Sequence, residues 1–386
     1  MFRIVAALLA LLLPLTGNTR TIVVGQNGEV QRIADAARIA RDGDTIEISA
    51  GVYHGDVAVW LQKRLTIRGA ATRPVLIADG KSAEDKAIWV FRNGTFDIAN
   101  IEFRGARVAD GNGAGIRFEH GKLRITNCAF HDNQNGILTS NDENAELIVE
   151  NSVFSDAPAQ HDPLPHLLYA GRISQLSITG SHFHTGRLGH LIKSRARKSD
   201  LRYNLVNDGP NGSASYEIEF PNGGQATLIG NVIGQSATTA NPVLIAFGAE
   251  GAYWPENSLR LAHNTLLSAG WKPGWFIRAW QKNFPAGINI QILNNLVTGL
   301  GPLSIGLNGS HEGNYFVPSW AMNGPEKLDF SLAKESLLRR LATLPVQTNL
   351  DLLPIAEFTL PTGTRSLASP AKWIPGAFQS PTMVHE

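Results

Sequence analysis

The chain has 386 residues, 43 % of them hydrophobic and 17 % charged, with a formal net charge of +1. That is ample apolar content for a large core, and near-neutrality argues against a general nucleic-acid binder, so attraction to an acidic polymer has to come from a local patch. Cys128 is the sole cysteine, which excludes an intrachain disulfide, and its place beside a turn Asn suits a small core filler.

Residues 1–17, MFRIVAALLALLLPLTG, read as a secretory signal. Arg3 supplies the positive start, and Val5 to Leu13 form an apolar stretch too short to anchor stably across a bilayer. No A-x-A cleavage sequence follows, so an uncleaved anchor is the alternative. No later stretch is long enough to cross a membrane. The expectation is a periplasmic or secreted chain with no membrane association after cleavage.

The segment TIVVGQNGEVQRIADAARIARDGDTIEISAGVYHG comes next. Ile33, Ala36, Ala37 and Ile39 fall at helical spacing, and Gly43-Asp44 ends that pattern before the strand-like TIEISAGVY. A short amphipathic helix here would plug the open end of a stack of strands, which would otherwise expose apolar core and an unpaired edge.

From about Phe96 to Phe316 one pattern recurs some nine times: FDIANIEF, LRITNCAF, LIVENSVF, LSITGSHF, DLRYNLV, TLIGNVI, LRLAHNTL, IQILNNLV and EGNYFV. Each is an alternating apolar run, a polar or small residue, then another large apolar residue. The marker residues are Asn100, Asn127, Asn151, Gly180, Asn204, Asn231, Asn264, Asn295 and Asn314, spaced 19 to 33 residues apart. A variable period of this size on strands is the sign of a solenoid with loops of unequal length. Alternation points one face inward, and a column of turn Asn residues would hydrogen-bond from coil to coil. A second strand per coil is expected at GIRFE, GILTS, HLLYA, HLIKS, SYEIEF, VLIAFG, WFIRAW and LSIGL. The scarcity of two-residue hairpin signals argues against an antiparallel sandwich.

With the helix and DGDTIEISAGVY as its opening and SLASPAKWIPGAFQ as its close, the chain resembles the pectate-lyase-like superfamily. The resemblance implies an all-β, right-handed parallel β-helix. The expected division is a helix-capped solenoid over 20–317 and a C-terminal capping tail over 318–386. Within the tail, SLAKESLLRRLATLP reads as an amphipathic helix ended by Pro345.

A β-helix works through a groove on the outer face of a stacked sheet, so the question is which outward residues cluster across coils. GHLIKSRARKSDLRYN places His190, Lys193, Arg195, Arg197 and Lys198 within nine residues, a patch suited to a polyanion. One coil later, SASYEIEFPNGG carries Glu217 and Glu219, which at i and i+2 on a strand would share a face. Stacked base and carboxylates suit β-elimination from a uronic-acid polymer: a cation neutralises the C6 carboxylate, a base removes H5, and an acid helps the leaving oxygen at C4. Arg195, Arg197 and His190 would assist a Lys193 base whose pKa neighbouring cations depress. Glu217 and Glu219 would hold Ca²⁺ or position those cations. An ion pair between coils is the structural alternative.

IKSRARKSDLRYN also resembles the Lys-Ser element of the chondroitinase B and alginate lyase family. That resemblance implies Lys193 as base, a Glu-x-Glu calcium site and an Arg acid. Here, however, Glu217 and Glu219 follow the Lys rather than precede it, and Arg202 and Arg195 match the family's Arg in neither position. Tyr216, Trp254, Trp275 and Arg278 join Arg202 as expected substrate contacts, the aromatics by stacking on sugar rings. His166 and His190 occupy matching places in PHLLYAGR and GHLIKSRA and should stack, with His161 and Asp162 in the preceding loop. The expected partner is an anionic polysaccharide and the expected state a monomer. The alternatives are a carbohydrate-binding or envelope structural protein without catalysis, and a uronate C5-epimerase.

Overall fold

The structure, a computed structural model, describes residues 20–341, 347–368 and 373–383, so the expected signal at 1–17 lies outside the described residues. Alternating runs close into a parallel β-helix of three sheets. One has 12 strands, from Thr21–Val24 to Ser310–Glu312. The second has 11, from Val52–His54 to Tyr315–Phe316, and the third has nine, from Ala58–Trp60 to Trp275–Ala279. Every pairing within these three sheets is parallel, and each coil from Thr45–Ile48 to Trp275–Ala279 adds one strand to each. The buried side chains form one continuous core. In it Phe103, Phe130, Phe154 and Phe183 stack at centroid spacings of 5.1, 4.6 and 4.6 Å. Gly136 faces that stack because a Cβ there would stand 2.8 Å from the Phe154 ring.

The marker residues split into two columns. Asn100, Asn127, Asn151 and Gly180 share a left-handed turn position with Tyr203, Gly230, His263 and Asn294, all at φ between 49° and 65°. Asn and Gly tolerate that conformation best. The next residue inward forms the hydrogen-bonded ladder, and there Asn204, Asn231, Asn264, Asn295 and Asn314 align. Each Oδ1 from Asn231 onward accepts the preceding Asn Nδ2 at 2.8–3.0 Å. Upstream the same position holds Cys128, Ser152 and Ser181; Ser152 and Ser181 accept the preceding backbone N–H at 3.1 Å, and Asn204 accepts that of Ser181. The single Asn column expected from the sequence is thus two columns offset by one residue.

At the start, Ile33–Ile39 is a helix burying Ile33, Ala36 and Ala37, while Ile39 is exposed. Its first N–H groups are capped from the first coil: Asp56 accepts from Ile33 N at 2.6 Å and Ala34 N at 3.0 Å. At the other end two expected elements are absent. LSIGL is irregular, although Ile277 N–H still donates to Leu303 O at 2.9 Å. In place of the amphipathic helix, whose last residues 342–345 lie outside the described residues, Asp329–Leu332 pairs with Met322–Gly324, and Leu337–Arg340 is a 3₁₀ turn whose Leu337 is exposed; Leu332 is drawn into the apolar cluster with Phe330 and Phe378 instead. The tail then runs back along the flank of the coils. Ile374 O accepts from His263, Ala377 N–H donates to Thr265, Ile355 N–H to the Tyr203 hydroxyl, and Gly363 N–H to Gly180 O.

Candidate active site

Strand register decides which side chains meet. In the nine-stranded sheet, Tyr169 pairs with Lys193 and Lys193 with Glu219; the flanking Leu168, Ile192 and Ile218 point into the core, so these three point out. His166, His190 and Tyr216 form a parallel outer column, with rings 4.8 and 4.9 Å apart. His190 N–H donates to His166 Nδ1 at 3.1 Å, and Tyr216 N–H to His190 Nδ1 at 3.3 Å. An Nδ1 that accepts leaves the proton of a neutral imidazole on Nε2. In His190 that Nε2 lies 3.0 Å from Glu219 Oε2.

Glu219 Oε2 also stands 3.1 Å from Lys193 Nζ. Neither approach has hydrogen-bond alignment, so this is a close charge contact rather than a directed bond. Burial works to raise the Glu219 pKa, yet His190 and Lys193 hold it below the usual carboxylate value. Burial keeps His166 neutral, its pKa pushed well below the ordinary one with His190, Lys193 and Arg195 adding to the effect.

Two residues outside the expected site set complete the cluster. Tyr169 accepts from Arg195 Nε at 2.7 Å, and its ring lies 5.4 Å beneath Lys193 Nζ. Glu250, on the loop after Val243–Phe247, grips Arg195 with both oxygens at 2.7 and 2.9 Å and lies 3.5 Å from Lys193. The 33-residue interval between Asn231 and Asn264 was the available signal for that loop, but not for where Glu250 would point.

Glu217 does not share this face. It is fully buried, in register between Leu191 and Leu244, and neither carboxyl oxygen has a partner. It sits at a bend just before the strand Ile218–Phe220, and alternation fails there because Glu217 and Ile218 are both buried. Burial drives its pKa well above the ordinary value, with Asp208 adding to the rise. The expected Glu217/Glu219 calcium site therefore lacks one of its two carboxylates. Among the described residues, no group of three or more His, Cys, Asp and Glu side chains is arranged to hold a metal.

Other expected contacts lie elsewhere. Arg197 stacks on Trp254 at 4.8 Å and reaches Glu143 at 3.5 Å, away from Lys193. Trp254 is buried, and its Nε1 donates to Arg195 O at 2.9 Å, so it braces Arg195 rather than offering a face to sugar. Arg202 is on the 12-stranded sheet, bonded to Asp200 at 2.6 Å. Trp275 and Arg278 do lie on the nine-stranded sheet, at its last strand; Arg278 is 4.4 Å from both the Trp275 and Trp280 rings. A cleft of about 900 Å³ is lined by Asn207, Gln235, Leu267, Thr298 and Phe316 among others and contains no ionisable side chain, so the acid–base chemistry is not there.

No family model and no curated protein matches the chain. Among solved structures, pectate lyase Pel9A superposes with a TM-score of 0.62 at 13 % identity, over 93 % of this chain and 96 % of that one. An alginate lyase from Paenibacillus sp. str. FPU-7 aligns at 0.46 and 13 % identity, over 77 % and 99 %. The fold defines a pectate-lyase-like right-handed parallel β-helix. Its structural neighbours are polysaccharide lyases.

Proposed function

We propose that this protein is an exported lyase cleaving a uronic-acid polysaccharide by β-elimination at the Lys193 face. The observation that carries the reading is the convergence of Lys193, His190, Arg195 and Tyr169 on the outer face of one sheet. Arg195 takes the substrate's C6 carboxylate in place of Glu250, a carboxylate-for-carboxylate exchange on one guanidinium. Neutralising that carboxylate acidifies H5. Lys193, in its neutral form, removes H5; the C5–H pair becomes the C4=C5 double bond, the C4–O4 bond breaks, and O4 takes up a proton from Tyr169 or His190. Glu250 occupies the Arg195 guanidinium with both oxygens, so its displacement is part of activation on this reading.

The neighbours Pel9A and the Paenibacillus enzyme are consistent with the reaction class; the named substrates belong to them. The test is ultraviolet absorbance of the unsaturated product after incubation with polygalacturonate, alginate, chondroitin sulfate, hyaluronate and heparin, with and without Ca²⁺. A rise on one polymer that Lys193→Ala abolishes supports the reading. Binding without any rise in absorbance transfers it to an epimerase or a carbohydrate-binding protein.

A further inference from the structure

The outer face extends well beyond the reacting cluster. Arg117, Lys193 and Arg278 occupy one register column of the nine-stranded sheet, with Leu138 and Tyr169 between the first two and Glu219 and Ala246 between the last two. Lys193 is therefore central, three strands from each arginine, and at the usual interstrand spacing the arginines stand about 29 Å apart.

Both end cations are unpaired. Among the described residues, Arg117 makes no hydrogen bond or ion pair, and its Nε is wholly buried. Its neighbours Ile116 and Phe118 are core residues, so it is directed outward, partly sheltered. Among the described residues, Arg278 has two indole faces and no carboxylate or hydrogen-bond partner. Most other cations of the fold have partners: Arg92 and Lys86 share Glu119, and Arg195 has Glu250. A guanidinium held in place by burial or stacking, with its donors unspent, is preorganised for an anion. Trp275 and Trp280 beside Arg278 add faces on which a pyranose ring can stack.

We infer that an acidic glycan lies along the solenoid axis over seven consecutive strands, with Arg117 and Arg278 each taking a uronate carboxylate at opposite ends of the track. This rests on the proposed reaction at Lys193 and adds its geometry. Each extended pyranose advances by about one interstrand step, so the track takes chains of roughly seven sugars, and a central Lys193 cuts an internal bond.

The test is binding, measured by titration calorimetry in a Lys193→Ala background so that the ligand survives, with oligouronates of three and eight residues prepared from polygalacturonate and from alginate. The eight-residue chain should bind at least about tenfold tighter than the three-residue chain. Arg117→Gln and Arg278→Gln should each weaken the long chain about fivefold and leave the short one unchanged. Arg278→Lys, which keeps the charge but loses the planar stack, should recover part of the loss if the fold is intact by thermal melting. Equal affinity for both lengths, or no effect of either substitution on the long chain, overturns the inference. Length-dependent binding without any unsaturated product from the wild type leaves the track standing and overturns the lyase reading alone.

Discussion

Glu217 and Glu219 stand two residues apart in one segment and meet opposite environments. Outside the sheet, Glu219 has His190 and Lys193 within 3.1 Å and is held as a carboxylate. Inside, Glu217 takes a place that Leu191 and Leu244 occupy in adjacent coils, and its carboxyl oxygens have no hydrogen-bond partner among the described residues. The difference teaches that a solenoid tolerates a polar group in its interior where a ladder satisfies it, as at Asn231 and Asn264, and is destabilised where none does. The outer face is under the reverse constraint: charges left partly unsatisfied there are what a ligand can use.

The strongest way to break this contrast is Lys193→Ala, which should lower turnover on any cleaved polymer by about 10³-fold, near 4 kcal/mol in the barrier, while the melting temperature changes little. Turnover within a few-fold of wild type would remove Lys193 from the reaction. Next in size is the ladder. Asn264→Ala deletes bonds to Asn295, Leu228 and Asn231 at 2.9–3.0 Å and should destabilise by about 3 kcal/mol in chemical denaturation. Ser152→Ala, at the same position upstream, removes a single-hydroxyl link and should cost about 1 kcal/mol. Equal losses at the two sites would show that the Asn column is no stronger than its Ser continuation.

One further effect has the opposite sign. Glu217→Leu should stabilise the protein by about 2 kcal/mol at neutral pH, because it replaces an unpartnered buried acid with the residue type of the adjacent coils. The raised Glu217 pKa makes this gain pH-dependent. An acid whose folded pKa lies above its unfolded value contributes stability below the unfolded value, and that contribution is lost as pH rises toward the folded one. The melting difference between variant and wild type should therefore widen from pH 4.5 to pH 8. Asp208, raised to about 6 by burial, adds a loss in both proteins that is complete above that pH, and once charged it raises the Glu217 pKa further, in the same direction as the predicted widening. Histidines buried in neutral form, among them His166 and His263, weaken both proteins alike on the acid side. A difference that stays flat with pH would mean that Glu217 is not buried as an acid.

The solenoid was legible because its signal repeats: alternation in FDIANIEF or LRITNCAF is weak once and decisive when copied down the chain. The offset between turn and ladder Asn residues was not, since both positions favour the same residue type and only φ separates them. Lys193, His190 and Arg195 were visible as a charge cluster. Arg117 was not, because it sits singly in an ordinary strand and only register brings it into line with Lys193; aligning PHLLYAGR with GHLIKSRA sets Tyr169 opposite Lys193 but leaves open which way its ring points. Glu217 misled because the i, i+2 rule assumes an unbroken strand, whereas the ordered strand begins at Ile218.

The tail has a consequence for how this molecule comes apart. A plain solenoid is a row of units that each know only their neighbours, so its ends can fray independently. Here Ile355, Gly363, Ile374, Gly376 and Ala377 bond to Tyr203, Gly180, His263, Asn294 and Thr265 respectively, stitching together coils more than a hundred residues apart in sequence. The C-terminal half is thereby bound into one cooperative block. A protein ending at Val317 should lose that block's single sharp transition and melt from its last coil inward.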